Sequence, residues 1–178
     1  IPNNKSIVKP RSKCTGCETQ ISWYDNIPVL SYVLLLGKCR NCKASISVRY
    51  PLIEFICGLM TVMLLGIYGI SYEFFVIVLF CYMLIAITFI DIDHFIIPNE
   101  FIIFGLIVSF FAHAFNFLPI SILQGFYGII AFGGTLFVMG ALGTWAFKKE
   151  ALGFGDVKLG LVLGSFLGVE LSLLSLFL

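Results

Sequence analysis

Two aspartates that stand close enough to share one proton can hydrolyse a peptide bond without a metal or a covalent intermediate. The chain offers Asp91, at the end of one apolar stretch, and Asp156 in "GFGD" (153–156), at the start of another. In such a pair one carboxylate draws a proton from water while the other donates a hydrogen bond to the scissile carbonyl. A quieter role competes at Asp156, since an Asp after Gly at a helix start is what capping predicts and also suits the helix dipole. Gly153 and Gly155 weigh against capping alone. They leave the backbone around Phe154 narrow and conformationally free, so that another chain can approach. No Gly-x-Ser-x-Gly elbow, HExxH or Walker loop offers a rival chemistry, and one of the two histidines, His113, lies within an apolar run.

A second set of residues has metal-ligand spacing. "CTGC" supplies Cys14 and Cys17, and "CRNC" supplies Cys39 and Cys42, with twenty-one residues between the pairs. Each Cys-x-x-Cys turn can present two thiolates to one ion, and two turns complete a closed tetrahedral zinc site of the structural kind. Lys13, Lys38, Arg40 and Lys43 lie beside them and are expected to offset the thiolate charge. Two disulfides or a redox pair are the alternatives, and a reducing compartment disfavours the first. Cys57 and Cys81 fall inside apolar runs and read as small packing residues.

These residues must be held by a membrane protein. The chain is 60% hydrophobic and 12% charged, with a mean hydropathy of +1.03, more apolar surface than a soluble domain of 178 residues could hide. Both ends look cut, which suggests part of a longer protein. Residues 1–50 are polar and turn-rich, and 51–178 divide into about five crossings. Residues 51–70 carry Glu54 near their start, and 74–90 end at Asp91. Residues 101–147 hold no Asp, Glu, Lys or Arg and split at "NFLPIS" (116–121), while 157–178 include Glu170. Asn99, after Pro98, is expected to cap the third crossing, and Asp93, His94 and Glu100 are expected in the turn before it.

Charge sets the orientation. Eight of the eleven basic residues lie in the first fifty positions (Lys5, Lys9, Arg11, Lys13, Lys38, Arg40, Lys43, Arg49), and the others are Lys148, Lys149 and Lys158. The positive-inside rule assigns these regions to the cytoplasm. Counting crossings from there brings Asp91 and Asp156 to one membrane surface. The expected fold class is all-α: a polytopic transmembrane bundle with a small cytoplasmic zinc-knuckle unit.

The motifs "PRSKCTGC", "WYDNIPVLSYVLLLGKCRNC", "ISVRYPLIE", "DIDHFIIPN" and "GFGDVKLG" occur in the order found in type IV prepilin peptidases, the GxGD-type membrane aspartyl proteases. The chain resembles that family over nearly its whole length. The resemblance implies that Asp91, which precedes Pro98-Asn99, and Asp156 are the catalytic pair. It also implies supporting or substrate-binding roles for Gly153, Gly155, Pro98, Asn99 and Lys158, and zinc ligation by Cys14, Cys17, Cys39 and Cys42. The family cuts the basic leader from prepilins and pseudopilins after a glycine at the cytoplasmic membrane face. Many members then N-methylate the new terminus with S-adenosylmethionine, for which Glu54 in "YPLIE" is the candidate residue. The implied partners are a prepilin and the lipid bilayer, with no nucleic acid. Three rivals remain: a transporter with carboxylate ion sites, a scaffold docking partners through its zinc unit, and the preflagellin or presenilin branch of GxGD proteases. The two knuckles argue against the last.

Overall fold

The computed structural model describes residues 13–14 and 16–177. Lys5, Lys9 and Arg11, and with them much of the expected basic head, lie outside the described residues. The described residues form helices with no strand beyond two isolated bridges, and the chain divides into two compact units at Ile67/Tyr68.

The first unit contains two copies of one small motif. "KCTGCETQIS" (13–22) and "KCRNCKASIS" (38–47) share Lys-Cys-x-x-Cys-x-x-x-Ile-Ser, and their backbones repeat as well. Lys13 bridges Gln20 and Lys38 bridges Ser45. Cys14 N–H donates to Thr19 O at 3.0 Å and Cys39 N–H to Ala44 O at 2.8 Å, while Glu18 and Lys43 N–H return to the carbonyls of Cys14 and Cys39. Glu18 and Lys43 hold matching left-handed conformations, φ 53° and 60°. A 3-10 turn (Trp23–Asn26) and the short helix α1 (Leu30–Leu34) lie between the knuckles, and α2 (Arg49–Tyr68) follows them. A side chain ties the start of α2 to the segment before α1, because Val29 N–H donates to Glu54 Oε2 at 2.7 Å.

The second unit holds α3 (Tyr72–His94), α4 (Asn99–Ala114), α5 (Ile122–Gly128), a π-helical turn (Ile129–Gly133), α6 (Gly134–Phe147) and α7 (Phe154–Leu174). α2, α3, the continuous stretch Ile122–Phe147 and α7 are each long and apolar enough to cross a membrane, and α4 is a shorter apolar helix. At 16 residues α4 rises about 24 Å, less than a hydrocarbon core of about 30 Å. Large apolar side chains stay exposed along the spans, among them Phe75, Leu79, Phe104, Phe110, Phe126 and Phe137. Such a surface suits lipid and would aggregate in water. Ser71 caps α3 by accepting from Phe74 N–H, and Ser121 with Gln124 closes a reciprocal box at the start of α5.

Glycines build the centre of this unit. Gly160, Gly164 and Gly168 recur every fourth residue on α7, the small-residue spacing that lets membrane helices touch backbone to backbone. A Cβ on Gly128 would strike the carbonyl oxygen of Gly164, and one on Gly164 would strike that of Gly128. Around this seam pack Phe80, Met83 and Ile87 of α3, Ile102 and Ala112 of α4, Leu118, and Val162 and Phe166 of α7. α7 breaks at Gly168, whose φ of 69° and ψ of −173° are not helical. The break disturbs the hydrogen-bond ladder around the Ser165 carbonyl. Two α4 side chains reach that oxygen: His113 Nε2 at 2.8 Å and Ser109 Oγ at 3.3 Å. His113 Nδ1 lies 3.2 Å from Ile120 O, so the intramembrane histidine ties α4 to α7 and to the α4–α5 connection.

Candidate active site and metal centre

Asp91 sits in the last turn of α3 and Asp156 in the first turn of α7. The heights of the two follow from a contact deeper in the bundle. Phe80 of α3 stacks on Phe166 of α7 with centroids 4.0 Å apart, and Gly105 of α4 abuts both Met83 and Val162. Moving toward the end of α3 therefore means moving toward the start of α7, so the two helices run antiparallel. Asp91 is eleven residues past Phe80 and Asp156 ten before Phe166. At about 1.5 Å per residue, both stand about 15 to 17 Å from the aromatic stack, at the same end of the bundle. No hydrogen bond joins them, and among the described residues neither carboxylate has a hydrogen bond or ion pair. Asp91 is half-buried and Asp156 exposed.

Local geometry departs from the expected caps. Gly153 is the N-cap of α7 and Asp156 the third helical residue, its N–H donating to Gly153 O at 3.1 Å. The Asp156 carboxylate curls back toward Gly153, whose absent Cβ would lie 3.1 Å from Oδ2. Gly153 has an ordinary extended backbone, φ −65° and ψ 137°, so what it contributes is room. Gly155 does the same on its other side, where a Cβ would press on Ile97 at 3.3 Å. Pro98 takes the N-cap of α4, and Asn99 is already helical. Its side-chain oxygen is engaged elsewhere, accepting from Lys158 Nζ at 2.8 Å across 59 residues of sequence. The Lys158 ammonium also lies 4.8 Å from the centre of the Phe154 ring. Ile97, Asn99, Gly155 and Lys158 thus pin the α3–α4 connection, which follows Asp91, against the turn that carries Asp156. Asp93 and His94 belong to the last turn of α3 rather than to a loop, because the helix ends only at Phe95, in a left-handed conformation. Glu100 lies in the first turn of α4. Glu170 is exposed on α7 just beyond the Gly168 break.

The Sγ atoms of Cys14, Cys17, Cys39 and Cys42 all lie within 4.8 Å of one another, with Cys14 and Cys42 3.7 Å apart. A zinc ion with Zn–S bonds of about 2.3 Å needs tetrahedral edges of about 3.8 Å, so the set fits that ion with small adjustment. Proton affinities point the same way. The side chain and backbone of Thr19 lower the Cys17 thiol to about 6, and the N–H groups of Cys42 and Asn41 lower that of Cys39. Cys42 rises to about 11: the Ala44 N–H opposes the shift, but crowding by the other three sulfurs and burial outweigh it. Four sulfurs this close cannot all ionise without a cation among them. Arg40 is not free to neutralise them, because it forms a two-pronged pair with Asp25 at 2.7 and 2.9 Å and lies over the Tyr24 ring. That pairing holds the Asp25 carboxyl below its usual range. Cys57 and Cys81 are free thiols on α2 and α3.

Residues 78–178, which take in Asp91, Pro98, Asn99 and the whole GFGD helix, match the description of the type IV leader peptidase family. The chain belongs to that family. Residues 1–68 match the bacterial peptidase A24 N-terminal domain. Prepilin leader peptidase/N-methyltransferases are similar at 35% identity in Myxococcus xanthus, 36% in Stutzerimonas stutzeri and 36% in Pseudomonas putida, over 94%, 89% and 95% of this chain. The same alignments cover 50%, 55% and 58% of those relatives, so the chain spans little more than half their length. No solved structure matches. Membership and the four long apolar helices together make this leader peptidase relative a multi-pass membrane protein.

Proposed function

We propose that this chain carries the peptidase core of an enzyme that removes the basic leader from prepilins or pseudopilins after glycine, at the cytoplasmic membrane face, with Asp91 and Asp156 as the catalytic pair. The observation that carries the reading is the common height of two carboxylates that no other side chain among the described residues engages. As a pair sharing a proton, one aspartate takes a proton from water as that water attacks the scissile carbonyl. The other donates a hydrogen bond to the oxygen that gains charge. Gly153 and Gly155 leave space for an extended substrate, and Lys158, Asn99 and Pro98 set the spacing of the two helix ends. The zinc site has all four positions filled by thiolates and holds structure only. A transporter would need carboxylates near mid-span, whereas Asp91 and Asp156 lie at helix ends.

The names of the relatives also carry N-methylation of the new terminus, and we extend that second step to this chain with S-adenosylmethionine as donor. The peptidase reading is tested by Asp91→Asn and Asp156→Asn in the full-length enzyme, with cleavage of a prepilin followed by product mass. Each is expected to lower cleavage by at least about a thousandfold. A variant that keeps its helical content and still cleaves within tenfold of wild type would remove its aspartate from the mechanism.

A further inference from the structure

The end of α6 reaches past its neighbours, and its height follows from contacts along the second unit. At the end far from the aspartates, α3, α4 and α5 stop together. The Tyr72 ring at the start of α3 stacks on Phe117 just past α4, with centroids 4.8 Å apart, and a Cβ on Gly125 of α5 would strike the His113 ring near the end of α4. From there to the aspartates, α3 carries Glu73 and Asp91 eighteen residues apart, a rise of about 27 Å. The stretch Ile122–Phe147 runs antiparallel to α7, since Gly128 meets Gly164 while Leu136 meets Gly160. Asp156 lies four residues before Gly160 and Gly140 four after Leu136, which puts Gly140 level with Asp156. Ile122 to Gly140 is again eighteen residues, about 27 Å. There α3 has reached Asp91, but α6 continues for seven more residues to Phe147, about 10 Å beyond the aspartates.

That extension is apolar to its tip. Residues 122–147 hold no Asp, Glu, Lys or Arg, and Leu142, Trp145 and Phe147 are 59%, 82% and 76% exposed. Lys148, Lys149 and Glu150 follow, all exposed. Such a surface is poorly matched to water. An indole beside two ammonium groups suits the headgroup layer of a bilayer, where Trp settles and Lys meets lipid phosphate. The lengths agree. A hydrocarbon core of about 30 Å lies within a bilayer of about 40 to 45 Å, so each headgroup layer is about 5 to 8 Å deep. With the far helix ends at one boundary of the core, a rise of about 27 Å leaves the aspartates about 3 Å inside the other. About 7 Å of the α6 extension then crosses the headgroup layer, which is the depth available. We propose that the last two turns of α6 are an anchor in the headgroup layer of an anionic leaflet, with Trp145 and Phe147 at the acyl boundary and Lys148 and Lys149 on lipid phosphate. The anchor sets the depth of the aspartates, holding them where the apolar helix of a substrate begins. Only this depth-setting role rests on the peptidase reading above.

Trp145 is its own probe, because Trp23→Phe leaves it as the single indole of the chain. In vesicles of phosphatidylcholine brominated at shallow or deep acyl carbons, quenching is expected to place Trp145 about 20 Å from the bilayer centre. The indole introduced by Met139→Trp, in a background with Trp145→Phe, is expected at about 10 Å. A Trp145 found within about 15 Å of the centre, one quenched by aqueous iodide alone, or one shielded from both quenchers by a covering protein would each overturn the anchor. Brominated phosphatidylglycerol, at equal mole fraction in a phosphatidylcholine host, is expected to quench Trp145 at least twofold more strongly than brominated phosphatidylcholine. Lys148→Gln combined with Lys149→Gln should erase that preference, and its persistence would overturn the lysine contacts. Trp145→Ala with Phe147→Ala is expected to lower leader cleavage about tenfold in vesicles and less than twofold in detergent. Equal losses in both media, or none in vesicles, would overturn the depth-setting role. Asp91→Asn separates the two readings: it is expected to abolish cleavage and leave Trp145 quenching unchanged. Retained cleavage in Asp91→Asn would count against the aspartate pair alone, whereas altered quenching would overturn the independence of the anchor.

Discussion

The contact between Lys158 and Asn99 gives a sharp test of how the two aspartates are held apart. Lys158→Met removes the ammonium and keeps most of the stem, and Asn99→Ala removes the acceptor. A hydrogen bond to a charged group contributes about 1.5 to 3 kcal/mol, but Asn99 is exposed and Lys158 half-buried, so screening leaves about 0.5 to 1 kcal/mol for this one. Contact with the Phe154 ring adds about 0.5 kcal/mol at such a site. Lys158→Met should therefore cost about 1 to 1.5 kcal/mol of stability, and Asn99→Ala about 0.5 to 1. The effect on rate should be larger than the effect on stability. Without the strut, the α3–α4 connection can drift from the GFGD turn, and a misplacement of about 1 Å costs on the order of a hundredfold in a positioned reaction. Both variants should lower kcat for leader cleavage by about ten- to a hundredfold while KM changes less than threefold. In a double-mutant cycle the pair should be non-additive, the double variant being little worse than Lys158→Met. Lys158→Arg, able to reach the same oxygen, should recover most of the rate. Additive losses, or an effect confined to KM, would refute the strut and make Lys158 a substrate contact.

Two further outcomes follow from the first unit. Lys43 holds a left-handed backbone, φ 60°, where a side chain costs about 1 kcal/mol, so Lys43→Gly should raise the thermal midpoint of the zinc-loaded unit, read by calorimetry with metal content checked. The Asp25 carboxyl is held below its ordinary value by Arg40. The contribution of the pair to stability is therefore complete above the unfolded value of about 3.8 and fades as pH falls through the lowered one. Carbon NMR titration of Asp25 in Arg40→Met should move its midpoint upward toward that value, and no movement would dismiss the pairing.

Elements specified by nearby residues are legible in the sequence alone. Each knuckle is a four-residue turn, each span a run of apolar side chains, and counting crossings brings Asp91 and Asp156 to the same end of the bundle. What was not legible depends on partners distant in sequence. Asn99 looked like a cap because local rules name Asn, yet its oxygen meets a lysine 59 residues away. Arg40 looked like counter-charge for thiolates until Asp25 claimed it. His113 had no visible use, because the carbonyl it binds is one disturbed by the break at Gly168. Two signals were present in the letters, the four-residue spacing of Gly160, Gly164 and Gly168 and the ten-residue repeat around the cysteine pairs. The first marks where two backbones touch, and the second shows that the unit is built from two like halves.

Those like halves would also govern how the unit takes up a zinc ion. A cation caught by Cys14 and Cys17 is only half coordinated, and Cys39 and Cys42 are tethered to it by the twenty-one residues between the pairs. A tether of that length presents the second pair at an effective concentration on the order of millimolar, so closure is favoured over capture of a separate thiol present at less than that. Either knuckle can make the first catch, since their backbones are interchangeable. Loading can then begin at whichever turn forms first and still end in one arrangement, and release requires both halves to let go together.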